Sequence, residues 1–496
     1  MFSIDIYKLI DQFSYQPDQP LMFTSGLFLF LFIGFLVIYI PLSTTHRPKL
    51  IFTTFFSLYF YYKSSGLFFL LLISTTCIDY TLAKLIYESR APWKRSFLIT
   101  ISLISNLGLL GYFKYTNFIH EIFSNLAGLT YQPFDIFLPV GISFFTFQSL
   151  SYTIDVYRKR LQPTSHILDY AFFVSFFPQL VAGPIVRASE FLPQLSKPTF
   201  VTHEMFGRGV YLIASGLFKK AVISNYISAN FVDRVFDSPT LFTGLENLFS
   251  VYGYALQIYC DFSGYSDMAI GLALLLGFHF NENFNAPYKA KNITEFWRRW
   301  HISLSTWLRD YLYISFGGNR HGKLRTYLNL IVTMLLGGLW HGASFRFILW
   351  GGLHGVMLAV HKFFSELNLV SKIRIGPISK NMVSLTGGIF TFHFVCFCWI
   401  FFRAPSMEHA TQMINQIVSH FTPGIFLDFI GGYLSVVALM MLGYVLHFLP
   451  HSVDLAAERW TTRLPLAGKA ALMLVVILLC MQTKSASIQP FIYFQF

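Results

Sequence analysis

Long apolar runs separated by short polar stretches recur along the whole chain. They include residues 22–42, 97–112, 137–156, 205–222, 248–278, 382–402, 426–449 and 467–481. A run of about 20 apolar residues can cross roughly 30 Å of hydrocarbon as a helix. The pattern predicts an all-α polytopic membrane protein with about eleven transmembrane helices.

Proline and glycine interrupt two of these runs. Pro133, Pro139 and Gly141 lie before or near the start of the run that ends at residue 156, and FFPQLVAGPIVR occupies residues 176–187. Irregular backbone at membrane depth must be surrounded by protein or a wet cavity. The sequence therefore predicts broken or re-entrant segments among the spans.

The composition leaves no room for a separate soluble domain. Of the 496 residues, 54% are hydrophobic and 12% are charged, about half the usual charged share of soluble domains. We predict one membrane-embedded domain over residues 1–496, with N-terminal spans in 1–135, a motif-bearing core in 136–366 and C-terminal spans in 367–496. The five cysteines are scattered through apolar segments and are interpreted as small core residues.

Charge asymmetry predicts an orientation. The net charge is +12, but Lys and Arg accumulate in cytoplasmic loops, so this balance does not indicate nucleic acid. Residues 1–20 contain three aspartates and one lysine, whereas residues 84–95 contain Lys84, Arg90, Lys94 and Arg95. We expect an extracytoplasmic N-terminus and a cytoplasmic loop at 84–95.

A basic and aromatic stretch begins near Asn285. Asn292 and Glu295 form a capping-box pattern, which predicts a helix starting at Ile293. On one continuous helix, the residues of one face would be Phe296, Trp300, Leu304, Trp307 and Tyr311, and those of another would be Arg299, Ser303, Thr306 and Asp310.

Two interpretations of this helix stay open. One is an interfacial anchor helix. The other is a cationic surface for a polyphosphate ligand, because arginine forks match phosphate oxygens. Further cations would extend that surface at Lys289, Lys291, Arg320, Lys323 and Arg325. No Walker-type loop or GxGxxG turn is present.

His341 lies within an apolar run and is a functional candidate, because ionisable groups are costly in hydrocarbon. The structural alternative is a histidine hydrogen-bonded between helices. His354 would lie about 220° further around a continuous helix, unless residues 342–344 break it. The spacing matches no zinc motif, so no metal site is expected. For Asp261 and Asp267, structural hydrogen bonding is favoured over a proton relay.

Several stretches together resemble the membrane-bound O-acyltransferase family, in particular its bacterial alginate O-acetyltransferase branch. They are LPVGISFFTFQSLSYTIDVYR (138–158), FFPQLVAGPIVR (176–187), YALQIYCDFSGYSDMAIG (254–271), FWRRWHISLSTWLRDYLYISFGGNR (296–320) and GGLWHGASFRFILWGGLHG (337–355). The teichoic-acid D-alanylation transferases are a more distant branch with a similar core.

The resemblance implies a core with a central tunnel, in a bacterial inner-membrane acetyltransferase. His341 would be the base and Asp310 its partner. Donor-binding or supporting roles fall to Arg298, Arg299, Trp300, His301, Asn319, Arg320 and His354. Acetyl-CoA would be a co-substrate, with no bound cofactor. The implied partners are a polysaccharide acceptor, membrane lipids and an extracytoplasmic SGNH, or serine-esterase-like, acetyltransferase.

Two other functions remain as alternatives. The first is transfer of D-alanyl or another acyl group from a carrier-protein thioester. The second is a proton-coupled transporter or flippase with His341 on the proton path. A transferase releases a free thiol from its donor, whereas a transporter works without donor turnover.

Overall fold

The computed structural model describes residues 11–17, 19–367 and 377–483, and all regular elements in these ranges are helical. The predicted all-α class is therefore confirmed. Most of the acidic N-terminal tail used for the orientation prediction (residues 1–10 and 18) lies outside the described residues. The chain divides into two compact units, and the predicted subdivision at 135 and 366 stays a prediction.

The first unit comprises the chain up to Ile213 together with Met268–Asn281. Its helices are Gly26–Leu42, His46–Ser65, Phe69–Glu88, Pro92–Leu110, Thr116–Ala127, Ile142–Tyr157, Ile167–Ser175, Phe177–Leu180 and Ala188–Leu195, with a 3-10 turn at Gly66–Phe68 and a π-helix at Gly111–Tyr115. Residues of two longer helices, His203–Leu217 and Gly244–Leu275, belong partly to this unit and partly to the second.

The irregular stretches predicted from proline and glycine are confirmed. The segment before Ile142 has no regular structure, and the helix starts after Gly141, whose φ is 77°. A Cβ at Gly141 would lie 2.7 Å from the Leu180 carbonyl oxygen. A glycine is therefore required there by both the left-handed backbone and the close approach.

The second unit comprises Ala214–Asp267 and the described residues from Glu282 onward. Its longer helices are Lys323–His341, Phe345–Glu366, Pro377–Arg403, Met407–Ser419, Leu434–Phe448, His451–Arg463 and Leu466–Gln482. Its shorter elements are Phe218–Ser224, Asn225–Ile227, Ser228–Val232, Asp233–Asp237, Pro239–Leu241, Pro287–Lys289, Ile293–Arg299, Ile302–Trp307, Leu308–Tyr313, Pro423–Ile425 and Phe426–Gly432.

Several helices are long and apolar enough to span a membrane. By length and hydropathy, the described residues contain four such stretches, His46–Glu88, Pro92–Ala127, Phe345–Glu366 and Asn381–Arg403. A fifth results if Pro423–Gly432 and Leu434–Phe448, bent by 96°, form one span. The protein is a multi-pass membrane protein, and the total of about eleven spans stays a prediction.

Candidate active site

The basic segment, residues 292–320, begins where the capping pattern predicts. The Asn292 side-chain oxygen accepts a hydrogen bond from the Glu295 backbone N–H at 2.9 Å, and the helix starts at Ile293. In a capping box, the Glu295 carboxylate would accept a hydrogen bond from the Asn292 N–H. It accepts instead from the Lys291 N–H, at 2.9 Å. The predicted start of the helix is therefore confirmed, and the bond to the Glu295 side chain comes from the residue before Asn292.

The prediction of one continuous amphipathic helix is wrong. The helix ends at Arg299, His301 has a φ of 42°, and helical structure resumes at Ile302 before a π-helix at Leu308–Tyr313. The break is stable because nearby asparagines satisfy its backbone. The Asn283 carbonyl accepts from the Ile302 N–H, and the Asn285 N–H donates to the Arg299 carbonyl, both at 2.9 Å.

The apolar face of this segment lies in the protein core. Trp300 is 1% exposed and stacks on Phe296, with ring centroids 5.6 Å apart. Also buried are Leu304, Trp307 and Tyr311. These side chains anchor the segment within the protein and do not form the lipid-facing side of an interfacial helix.

The two neighbouring arginines have different surroundings. Arg299 donates through Nε and Nη2 to one Glu295 oxygen at 3.0 and 2.9 Å, and through Nη1 to the Asn285 carbonyl. Two opposing effects act on the pKa of Glu295. Partial burial raises it, but the hydrogen bond from the Lys291 N–H and the contacts with Arg299 together lower it by more, so this pKa lies below its ordinary value. Arg298 is exposed. Arg298 is therefore better placed than Arg299 to meet an external anion.

His341 is the last residue of the histidine helix (Lys323–His341), which packs closely on the return helix (Phe345–Glu366). A Cβ at Gly338 would overlap the Phe347 carbonyl oxygen, so the helices meet at glycine contacts. The return helix is capped by the Ser344 hydroxyl, which accepts from the Arg346 N–H at 3.3 Å. Residues 342–344 therefore break the helix. Such a break is what His341 and His354 need in order to approach each other.

Aromatic rings enclose His341, which is 3% exposed. Its ring centroid lies 5.0 Å from those of Trp340 and Trp350 and 5.3 Å from that of Phe402. We call these three rings the aromatic cage. The sequence pattern did not predict this cage, although Trp340, adjacent to His341, indicated part of it. Phe402 comes from another helix and left no such signal.

His354 also lies next to Trp350, with ring centroids 4.8 Å apart. The Trp297 indole N–H donates to His354 Nδ1 at 3.3 Å. His354 Nε2 has no hydrogen-bond partner within the described part of the chain. Trp350 thus contacts two buried histidines, one at the end of the histidine helix and one on the return helix.

His301 is also fully buried, near the Phe262 ring at 4.6 Å and the Trp340 ring at 6.1 Å. Neither of its ring nitrogens is hydrogen-bonded to a described residue. The structure therefore places His301 beside the aromatic cage, where its ring neighbours Trp340.

Asp310 lies in the π-helix Leu308–Tyr313, and its carboxylate accepts from Arg309 Nε at 2.7 Å. This π-helix packs closely on the histidine helix. A Cβ at Gly337 would lie only 3.1 Å from Leu308 Cδ1. The two segments that carry Asp310 and His341 are thus neighbours. The role of Asp310 as partner of His341 stays a prediction.

Parts of both predicted cationic segments lie near the C-terminal end of the return helix. Thr294, in the basic segment, forms a hydrogen bond with His361 at 2.9 Å. Lys323 Nζ lies 3.7 Å from a carboxylate oxygen of Glu366. Asn319 and Arg320 are exposed in the turn before Lys323. A cavity of about 400 Å³ lies beside this turn, lined by Ser315, Phe316, Gly317, His321 and Arg325.

Asp261 and Asp267 form ion pairs that the sequence pattern did not predict. Asp267 binds Lys219 at 2.7 Å, and Asp261 binds Lys220 in a pair with both side chains at most 4% exposed. Both lysines lie in the π-helix Phe218–Ser224. These contacts are consistent with the structural interpretation of the two aspartates.

The chain is similar in sequence to several known proteins. The sequence pattern of the membrane-bound O-acyltransferase family matches residues 156–404. The chain is 37% identical over 429 residues to a peptidoglycan O-acetyltransferase of Helicobacter pylori, covering 80% of both chains. It is 40% identical over 406 residues to a probable alginate O-acetylase of Pseudomonas aeruginosa, covering 80% of this chain and 75% of the relative. A teichoic acid D-alanyltransferase of Bacillus subtilis is 29% identical over 288 residues, 56% of this chain and 72% of that one.

Proposed function

This chain belongs to the membrane-bound O-acyltransferase family, and we propose on that premise that it takes acetyl from cytoplasmic acetyl-CoA and passes it across a bacterial inner membrane. The final product is an O-acetylated extracytoplasmic polysaccharide. Two relatives covered over at least 75% of their length support this, because one is named for peptidoglycan and the other for alginate. Their shared chemistry is an acetyl ester on a glycan hydroxyl.

The observation that carries the proposal is the position of His341 inside the aromatic cage. A neutral imidazole can be buried there at lower cost than a charged side chain. Its ordinary pKa lies near neutral pH, which suits it to accept and return a proton. His341 is therefore the residue that we assign as the base.

The transfer can be written as a balanced step. The imidazole of His341 accepts the proton of the acceptor hydroxyl while that oxygen attacks the thioester carbon. The carbon–sulfur bond breaks, and the imidazolium returns its proton to the leaving thiolate. The products are an acetyl ester and free CoA thiol. A nearby carboxylate such as Asp310 would stabilise the transient imidazolium.

The donor would bind at the basic end of the site. The histidine helix rises ~27 Å from Lys323 to His341, at 1.5 Å per residue. Arg298, Arg320 and Arg325 offer guanidinium groups for the phosphates, and the pantetheine arm would extend toward His341. Cations at this end also agree with a cytoplasmic location.

The acceptor side requires a second protein. The 3% exposure of His341 supports this, because a bulky polymer would not easily reach so buried a side chain. We propose that a serine-esterase-like extracytoplasmic protein presents a hydroxyl, accepts the acetyl group and completes polymer acetylation. D-alanyl transfer from a carrier-protein thioester is the second candidate, favoured by the Bacillus subtilis relative but at lower identity and coverage.

Reconstitution in liposomes tests this function. Acetyl-CoA is added on the cytoplasmic face and either peptidoglycan or alginate on the other, with and without the candidate partner. We expect CoA thiol release to depend on this chain and polymer acetylation to depend on the partner. Acetylation without a partner would contradict the relay, and turnover with D-alanyl carrier protein alone would favour the second candidate.

The orientation is tested by labelling Glu88→Cys in a cysteine-free background with an impermeant maleimide. Glu88 is exposed and lies in the loop predicted to be cytoplasmic. We expect labelling only after the membrane is permeabilised. Labelling from the periplasm in intact cells would reverse the orientation.

A further inference from the structure

A groove of about 840 Å³ opens between the helices Pro377–Arg403 and Leu434–Phe448. The first helix lines it with residues from Asn381 to His393, and the second with residues from Val437 to Phe448, at spacings of three and four. Residues at these spacings form one face of a helix. Two helical faces therefore flank one elongated space.

The walls of the groove are apolar and several of their side chains are exposed. Leu385 is 64% exposed, Ile389 52% and Met441 65%. From Asn381 to His393 the groove extends ~18 Å along the helix axis. This length is close to the ~15 Å depth of one leaflet of the hydrocarbon core. The groove thus matches an extended acyl chain in both chemistry and length.

Among the described residues, the charged side chains that line the groove belong to Lys289 and Lys291, and Asn381 and Ser384 lie on the first turns of one wall. Lys289 marks one end of the groove, because it contacts Leu449, the residue after the second helix. Lys289 Nζ donates to the Leu449 carbonyl at 2.6 Å, which uses one of its three N–H donors. Lys291 is exposed. The remaining donors can bind an anionic headgroup.

At the opposite end, the lining residues that the structure describes include no Lys, Arg, Asp or Glu. Tyr252 and His393 line it, and they hydrogen-bond each other at 3.1 Å. Their polar atoms are thus satisfied within the protein, and the space beside them suits the end of a hydrocarbon tail. The groove is polar and cationic at one end and apolar along its length.

We propose that this groove binds an anionic membrane phospholipid, with its phosphate at Lys289 and Lys291 and one acyl chain between the two helices. A positive end, an apolar length and a depth of one leaflet together fit this class of ligand. This lipid site is proposed independently of the acetyl transfer, so the proposal holds whichever acyl group the protein transfers. It also gives Lys289 and Lys291 a different ligand from the polyphosphate that the sequence pattern indicated.

Native mass spectrometry of the full-length protein tests the proposal. Purified protein in neutral detergent is mixed with phosphatidylglycerol or phosphatidylcholine carrying identical acyl chains. We expect one retained phosphatidylglycerol, preferred roughly fivefold because lysines near the membrane surface attract anionic lipid. Equal retention of both lipids by the wild type would overturn the headgroup assignment.

Matched variants separate the groove from ordinary lipid contact. Met441→Trp should fill the groove and abolish retention, whereas Leu434→Trp changes another exposed position of the same helix outside the lining and should not. Lys291→Gln should remove the preference for phosphatidylglycerol, whereas Lys323→Gln should keep it. Equal losses in both tryptophan variants, or a change of oligomeric state in Met441→Trp, would overturn the lipid site.

Discussion

The second unit buries two kinds of ionisable group in contrasting ways. Lys220 and Asp261 are almost fully buried and bind each other, as Lys219 and Asp267 do at 2.7 Å. His341, His354 and His301 are equally buried but lie among aromatic rings. Buried charges need partners, whereas a neutral imidazole can be buried at much lower cost. The ion pairs are suited to join helices, whereas proton exchange is the role that we propose for His341.

The largest effect should come from His341→Ala. If the imidazole is the base, transfer should fall by roughly 100-fold or more, the usual range for general acid–base catalysis. CoA thiol release from acetyl-CoA measures this loss, and thermal unfolding in detergent should be nearly unchanged. A variant that kept its activity but unfolded at lower temperature would place His341 in the same structural class as the ion pairs.

The next effect should come from Lys220→Met. Removing Lys220 leaves the buried Asp261 carboxylate without its ion pair, and breaking a buried pair in this way destabilises proteins by ~3–5 kcal/mol. Thermal unfolding in detergent should show the loss. The double variant Lys220→Met/Asp261→Leu should recover most of it, because the unpaired charge is then absent. A double variant with strongly reduced turnover at normal stability would show a catalytic role for the pair.

A smaller effect is expected at His354. Trp297→Phe removes the indole donor, and a single hydrogen bond contributes ~1 kcal/mol. Turnover should fall by less than about tenfold, which corresponds to 1.36 kcal/mol. His354→Gln measures the requirement for the ring itself. A loss in His354→Gln as large as that in His341→Ala would assign proton chemistry to both histidines.

The smallest effect should distinguish Arg298 from Arg299. Arg298→Ala should raise the KM for acetyl-CoA a few-fold, since an exposed charge contributes up to ~1 kcal/mol. The difference from wild type should shrink as salt is raised. Arg299→Ala should mainly lower the unfolding temperature, because its guanidinium binds Glu295 and Asn285. If the KM for acetyl-CoA were the same in the wild type and in both variants, this helix would not be part of the donor site.

The sequence by itself determined the membrane class, the helical content and the irregular stretches. Apolar runs and Pro/Gly positions are local signals, since a span or a break depends mainly on neighbouring residues. His341 was identified in the same way, as an ionisable residue within an apolar run. The start of the helix at Ile293 also followed from a local capping pattern.

Only the tertiary structure decided where these residues meet. The break at His301 depends on Asn283 and Asn285, which no helical periodicity predicts. The ion pairs join residues 41 and 48 positions apart, and the cage takes Phe402 from a different helix than His341. Side-chain partners across helices depend on how glycine contacts such as Gly338 bring the backbones together. Such proximity arises from packing in three dimensions, so the spacing along the chain does not determine it.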